Sequence, residues 1–135
     1  MTDTKRYFFK KADKLKSRKA IDGLFTKGNS FSNFPFKVVW LPENKDGLLQ
    51  AAVGVSSRNF KKAVDRNRIK RLMREAYRLQ KHALQDHLQE RSKHLSVFIL
   101  YVGKELPQYD HIHERMGAII NRLIKFTDAN TQENI

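Results

Sequence analysis

The sequence predicts an α+β fold, an α/β sandwich in which helices cover a small mixed sheet. Three observations support it. Three short apolar runs, "FPFKVVWLP", "LLQAAVGV" and "SVFILYV", have the length and β-branched content of strands. Three other segments repeat apolar residues at helical spacing, and one of them carries a face of nearly one charge sign. These segments follow one another as α-β-β-α-β-α, an order that a single sheet with helices packed on it satisfies.

Residues 1–14 are basic, contain the cluster Tyr7, Phe8 and Phe9, and show no regular period, so they read as a mobile N-terminal arm. Ser17 suits an N-cap. Ala20, Ile21, Leu24 and Phe25 then form the stripe of a short helix that Gly28 stops. Pro35 and Pro42 bracket a strand over residues 36–41, because proline cannot donate to a ladder. "ENKDG" is a turn by composition, and the strand after it is expected to pair with the one before as a hairpin.

A long basic helix is expected from about Asp65, a good N-cap. Arg66, Asn67, Lys70, Arg71, Arg74, Arg78 and Lys81 fall on one side of its wheel, with Arg68 and Glu75 at the border. Ile69, Leu72, Met73, Ala76, Leu79 and Ala83 fall on the other. A polar stretch with His82, His87 and His94 follows. Residues 96–102 are apolar on both faces, as a central strand covered on both sides requires. Ile112, Met116, Ile119, Ile120, Leu123 and Ile124 define a core-facing last helix. The expected organisation is an arm over 1–14, one domain over 15–127 and a frayed tail over 128–135.

At 135 residues the chain supports a single hydrophobic core. It has no cysteine, which excludes disulfides and thiolate metal sites and suits a reducing cytoplasm. No apolar run approaches the ~20 residues of a membrane span, and "MTDTKRYFFKK" lacks the apolar core of a secretory signal. A cytoplasmic protein is expected. The net charge is +13, and residues 1–81 hold 21 Lys and Arg against 7 Asp and Glu, whereas 82–135 hold 6 against 7. That asymmetry points to a polyanion, either nucleic acid or an acidic membrane surface.

Enzymatic motifs are weak. There is no cysteine nucleophile, no phosphate-binding glycine loop and no dinucleotide turn. The acids and histidines of 110–114 sit at a helix start, where acids are common, and their spacing does not share one helix face. No metal site is expected. Residues 63–78, "AVDRNRIKRLMREAYR", hold six Arg or Lys and two acids. Like charges at this density repel unless an anion relieves them, and arginine offers phosphate a bidentate fork. A membrane-surface helix would need exposed bulky apolar residues, but here the apolar stripe is what a core requires. A DNA reader of helix-turn-helix type would need a partner helix one short turn away, where strands are expected instead.

"RNRIKRLMRE", residues 66–75, shortly after "KKAV", resembles the arginine-rich signature of the bacterial ribonuclease P protein subunit. The order of elements is similar to that family over nearly the whole chain. The resemblance implies that an RNA subunit performs catalysis, with Mg2+ held mainly by the RNA and no catalytic side chain on the protein. It also implies a left-handed crossover. The implied partners are the catalytic RNA and precursor tRNA, with no membrane and no obligate protein partner. Arg66, Asn67, Arg68, Lys70, Arg71 and Arg74 fall on the signature, and Arg78, Arg58, Lys61 and Lys62 extend the implied RNA-binding surface. A cleft for the 5′ leader of precursor tRNA would be lined by Arg18, Ile21, Phe25, Phe36 and Trp40. Ile21 stands where many members carry a second phenylalanine, and Ser56, Ser57 and Arg58 where members often carry more Lys or Arg. The alternative is a general RNA-binding or ribosome-associated protein without a processing role.

Overall fold

Burial with a period of two divides the strands' apolar side chains between two faces of one sheet, and helices cover both. The computed structural model describes residues 18–42 and 48–133. Its elements are α1 (Arg18–Lys27), β1 (Asn29–Asn33), β2 (Phe36–Leu41), β3 (Leu49–Val55), α2 (Ala63–Gln80), α3 (His82–Glu90), β4 (Leu95–Tyr101) and α4 (Tyr109–Glu133). The expected α+β architecture is present. The basic arm, the cap at Ser17 and the "ENKDG" turn lie outside the described residues.

Sheet order is β1-β2-β4-β3 among the described residues, antiparallel except for the parallel pair β3–β4. This corrects the expected hairpin: β2 and β3 are not neighbours, because β4 lies between them. The most apolar strand takes the position where both faces are covered, and that gain outweighs the turn chemistry between β2 and β3. The hairpin that does form joins β1 to β2 across Phe34 and Pro35, with Asn33 opposite Phe36. β1 escaped the sequence reading because Phe31 is its only buried apolar residue.

The larger core lies between the sheet and α2, α3 and α4. Phe36, Val38, Trp40, Leu95, Val97, Ile99 and Tyr101 meet Ile69, Met73, Met116 and Ile120 there. Trp40 stacks on Phe126 with centroids 5.6 Å apart, and Arg122 lies 4.2 Å over the Phe31 ring while its Nη1 donates to Ser32 O at 2.8 Å. These contacts pin α4 across the β1 edge. A second, small cluster lies on the other face, where Leu24 and Val39 are buried together with Ile21, Leu41, Ala52 and Phe98 around them.

Other differences have local causes. α2 starts at Ala63, two residues ahead of Asp65, with Lys62 at its N-cap and no side-chain cap. Arg66 Nη1 donates instead to the carbonyls of Phe60 (2.8 Å) and Lys61 (2.7 Å), which fixes the incoming chain. The helix ends at Gln80, so Lys81 leaves the basic face and sits at the α2–α3 joint, 1 % exposed. Ala83 belongs to α3 and is exposed. α3 replaces the expected polar stretch and is held inward by Leu84 and Leu88, a pair at i, i+4 too sparse to signal a helix. α4 continues to Glu133, past the boundary expected at 127, and Lys93 Nζ to Thr127 O (2.6 Å) and Arg91 Nε to Asp128 Oδ1 (3.0 Å) tie its later turns to α3 and the chain after it.

Gly28 closes α1 against the sheet. Its N–H donates to Leu24 O at 2.8 Å, and a Cβ there would collide with that same carbonyl and lie 2.8 Å from Trp40 O. Both obstacles are backbone, so neither can rotate away. Gly28→Ala should therefore destabilise the fold by about 1–3 kcal/mol, the usual range for overpacking. Urea unfolding checks this; an unchanged midpoint would mean that α1 is not seated as described.

Candidate nucleic-acid interface

The rotation of α2 is set by its buried side. Ile69, Met73, Ala76 and Tyr77, at i, i+4, i+7 and i+8, are sealed against the core. Asn67, Arg68, Arg71 and Arg74 are thereby driven into solvent, with Lys70 and Arg78 half-buried beside them. Arg58, Lys61 and Lys62, on the segment leading into the helix, are also exposed. The expected cationic residues thus come together, apart from Lys81. Two have partners within the protein. Arg66 holds backbone carbonyls, and Arg78 forms a bidentate pair with Glu75, Nη2 to Oε2 at 2.9 Å and Nε to Oε1 at 3.0 Å. The hydrogen bond from Arg78 is the main cause that holds the Glu75 carboxyl below the ordinary carboxylate range and raises the Arg78 guanidinium. At neutral pH this pair subtracts one cation from the surface offered to an anion.

On the opposite sheet face, α1 packs over β2 and β4, where a leader cleft is expected. Phe25 is 50 % exposed and its ring lies 5.1 Å from that of Phe98, tilted by 59°. Ile21 is half-buried at the rim and Arg18 is exposed. Phe36 and Trp40 do not line this cleft. Side chains alternate along a strand, so Phe36, Val38 and Trp40 point into the larger core while Lys37, Val39 and Leu41 take the α1 face. Their aromatic character suggested the cleft; their parity decides against it. The residue missed is Phe98, hidden in a strand that reads as pure core. A signal existed in Gly54: a Cβ there would lie 2.8 Å from Phe98 Cζ, so the bare backbone makes room for that ring.

Among the described residues no three or more His, Asp or Glu side chains gather as a metal site would require. Asp110, His111 and Glu114 are exposed at the start of α4. No described helix is long and apolar enough to cross a membrane.

An exposed arginine face on a helix braced by a sheet, with Phe25 and Phe98 in contact on the opposite sheet face, defines a protein built to hold nucleic acid. The family model described as Ribonuclease P matches residues 9–124. The ribonuclease P protein component of Porphyromonas gingivalis is 35% identical over 136 residues, covering 99% of both chains, and that of Chlorobium phaeobacteroides is 29% identical, covering 84% of this chain and 86% of the relative. The ribonuclease P proteins of Staphylococcus aureus (TM-score 0.65, 19% identity, 84% of this chain and 96% of that one) and Thermotoga maritima (0.61, 20%, 81% and 96%) share the fold. The chain belongs to the ribonuclease P protein family, the protein component of a ribonucleoprotein endoribonuclease.

The Glu75–Arg78 pair gives a direct test of which charges bind. Glu75→Gln removes an anion from the face and releases Arg78. Affinity for the RNA subunit should rise, and log K should fall more steeply with log salt, by up to about 0.9 per added phosphate contact. A salt titration by filter binding reads both; an unaltered slope would place Arg78 outside the contact.

Proposed function

We propose that the arginine face of α2 docks on the catalytic RNA while the cleft under α1 receives the single-stranded 5′ leader of precursor tRNA. The observation that carries this reading is the separation of two unlike surfaces by one sheet. One is a basic face of nearly one charge sign, suited to phosphate. The other is a strip with Phe25 and Phe98 in contact, suited to stacking on bases. Placed on opposite faces of the sheet, the two surfaces suit two different RNAs held at once.

The protein's part in the reaction is electrostatic and positional. Two polyanions must approach each other, and Arg68, Arg71, Arg74, Lys61 and Lys62 lower the repulsion between them. Mg2+ would be held mainly by the RNA and would supply an activated water for hydrolysis there. Glu75, a carboxylate on the exposed side of α2, is already held by Arg78. The setting for this chemistry is the cytoplasm.

Two measurements test the two surfaces. Arg71→Ala should weaken binding to the RNA subunit and flatten the salt slope by about one unit, whereas Lys125→Ala, on the exposed side of α4, should change neither. Equal losses would mean diffuse attraction rather than a docked helix.

Phe25→Ala should weaken binding of precursor tRNA to the holoenzyme by the ~1–3 kcal/mol of one stacked base and leave mature tRNA unaffected. Equal weakening of both substrates would reduce Phe25 to a packing role.

A further inference from the structure

Four large apolar side chains stand exposed among the described residues, and three of them lie on segments that the register brings to one end of the sheet: Phe34 (71 %), Val64 (71 %) and Leu106 (48 %). The fourth is Phe25 of the cleft. Single exposed apolar residues are ordinary, but a grouping marks a contact surface. Phe34 is the most telling, because its whole ring stands at the tip of the β1–β2 turn with nothing of the core against it.

Hydrogen bonds join this tip to cationic surroundings. Val102 N–H donates to Pro35 O at 2.8 Å, and Asn59 Nδ2 donates to the carbonyls of Val102 (3.1 Å) and Gly103 (3.3 Å). The turn therefore abuts both the segment that carries Arg58, Lys61 and Lys62 and the loop that carries Lys104, all four exposed. Tyr101 Oη donates to Glu105 O at 2.7 Å and holds that loop back on the sheet. Lys37 is exposed on β2 just past the turn. Against these five cations the same segments bring two acids, the exposed Glu105 and the half-buried Asp65. The Arg66 bonds to the Phe60 and Lys61 carbonyls make the patch continuous with the arginine face of α2.

We propose that this end of the molecule is a second RNA contact, in which the Phe34 ring stacks on an unpaired base of the catalytic RNA and Arg58, Lys61, Lys62 and Lys104 take the neighbouring phosphates. A paired base has both faces occupied, so an exposed ring surrounded by cations selects a nucleotide outside a duplex. The catalytic RNA is the source because the patch is joined to α2, whereas the cleft lies under α1 around Val39, Leu41 and Phe98. The proposal rests on the docking of α2 on that RNA.

The experiment measures binding of the full chain to transcribed RNA subunit across a salt series. Phe34→Ala should weaken affinity about 5- to 150-fold, the range of one base stack, with the salt slope unchanged. Phe34→Trp should bind like the natural chain, and Phe34→Leu like Phe34→Ala, since only a flat ring stacks. Lys104→Ala should flatten the slope by about one unit. With Phe34 replaced by benzoylphenylalanine, photocrosslinks should fall on an unpaired nucleotide of the RNA subunit. Unchanged binding of Phe34→Ala, full binding by Phe34→Leu, or crosslinks confined to precursor tRNA would overturn the proposal. If Arg71→Ala weakens binding and Phe34→Ala does not, the second contact alone fails. If neither does, the docking of α2 fails first.

Discussion

Leu95, Val97, Ile99 and Tyr101 of β4 are sealed under the helices, while Phe98 of the same strand leans on Phe25 across the other face. Burial of both faces of this strand is the constraint from which the remaining geometry follows. β2 and β3 pair with its two edges in registers that put Val38 opposite Ile99 and Val53 opposite Ile99. A slip of one residue would send Phe98 into the helical core and Ile99 under α1. The sheet thus holds a wide apolar contact for three helices on one side and leaves a narrow, half-open one on the other.

That asymmetry is what allows α2 to carry its charge. Arginines spaced along one face repel one another, and the Glu75–Arg78 pair offsets only part of that. Ile69, Met73, Ala76 and Tyr77 supply the stability instead, since truncating a buried side chain the size of Ile69 or Met73 costs about 2–5 kcal/mol. The core therefore holds the repulsion in place until an anion relieves it. Arg66 contributes in a different way, spending its guanidinium on the backbone that enters the helix.

Helical period was legible wherever many apolar residues repeat, as in α2 and α4, and so was the central place of β4 with both faces apolar. α3 and β1 were not, because two leucines and one phenylalanine respectively give no period to read. Strand pairing was not legible either, since which strand lies beside which depends on contacts far apart in the chain. The arginines of the candidate site could be named from spacing because a charged face needs only local order. Phe36, Trp40 and Phe98 could not be assigned to a face without the register, and there the aromatic side chains misled.

The parallel pairing of β3 with β4 has a consequence for the timing of folding. A parallel pair needs a crossover, and here it consists of α2 and α3, so the RNA-binding helix is made after β3, the strand it lies on, and before α4, the helix that packs along it. Until residues 109–133 leave the ribosome, α2 lacks the helix that packs along it, and its apolar side is only partly covered. Long-range closure of this kind is slow compared with helix formation. The nascent chain consequently acquires its ordered phosphate-binding face late, after most of its cations have already been synthesised.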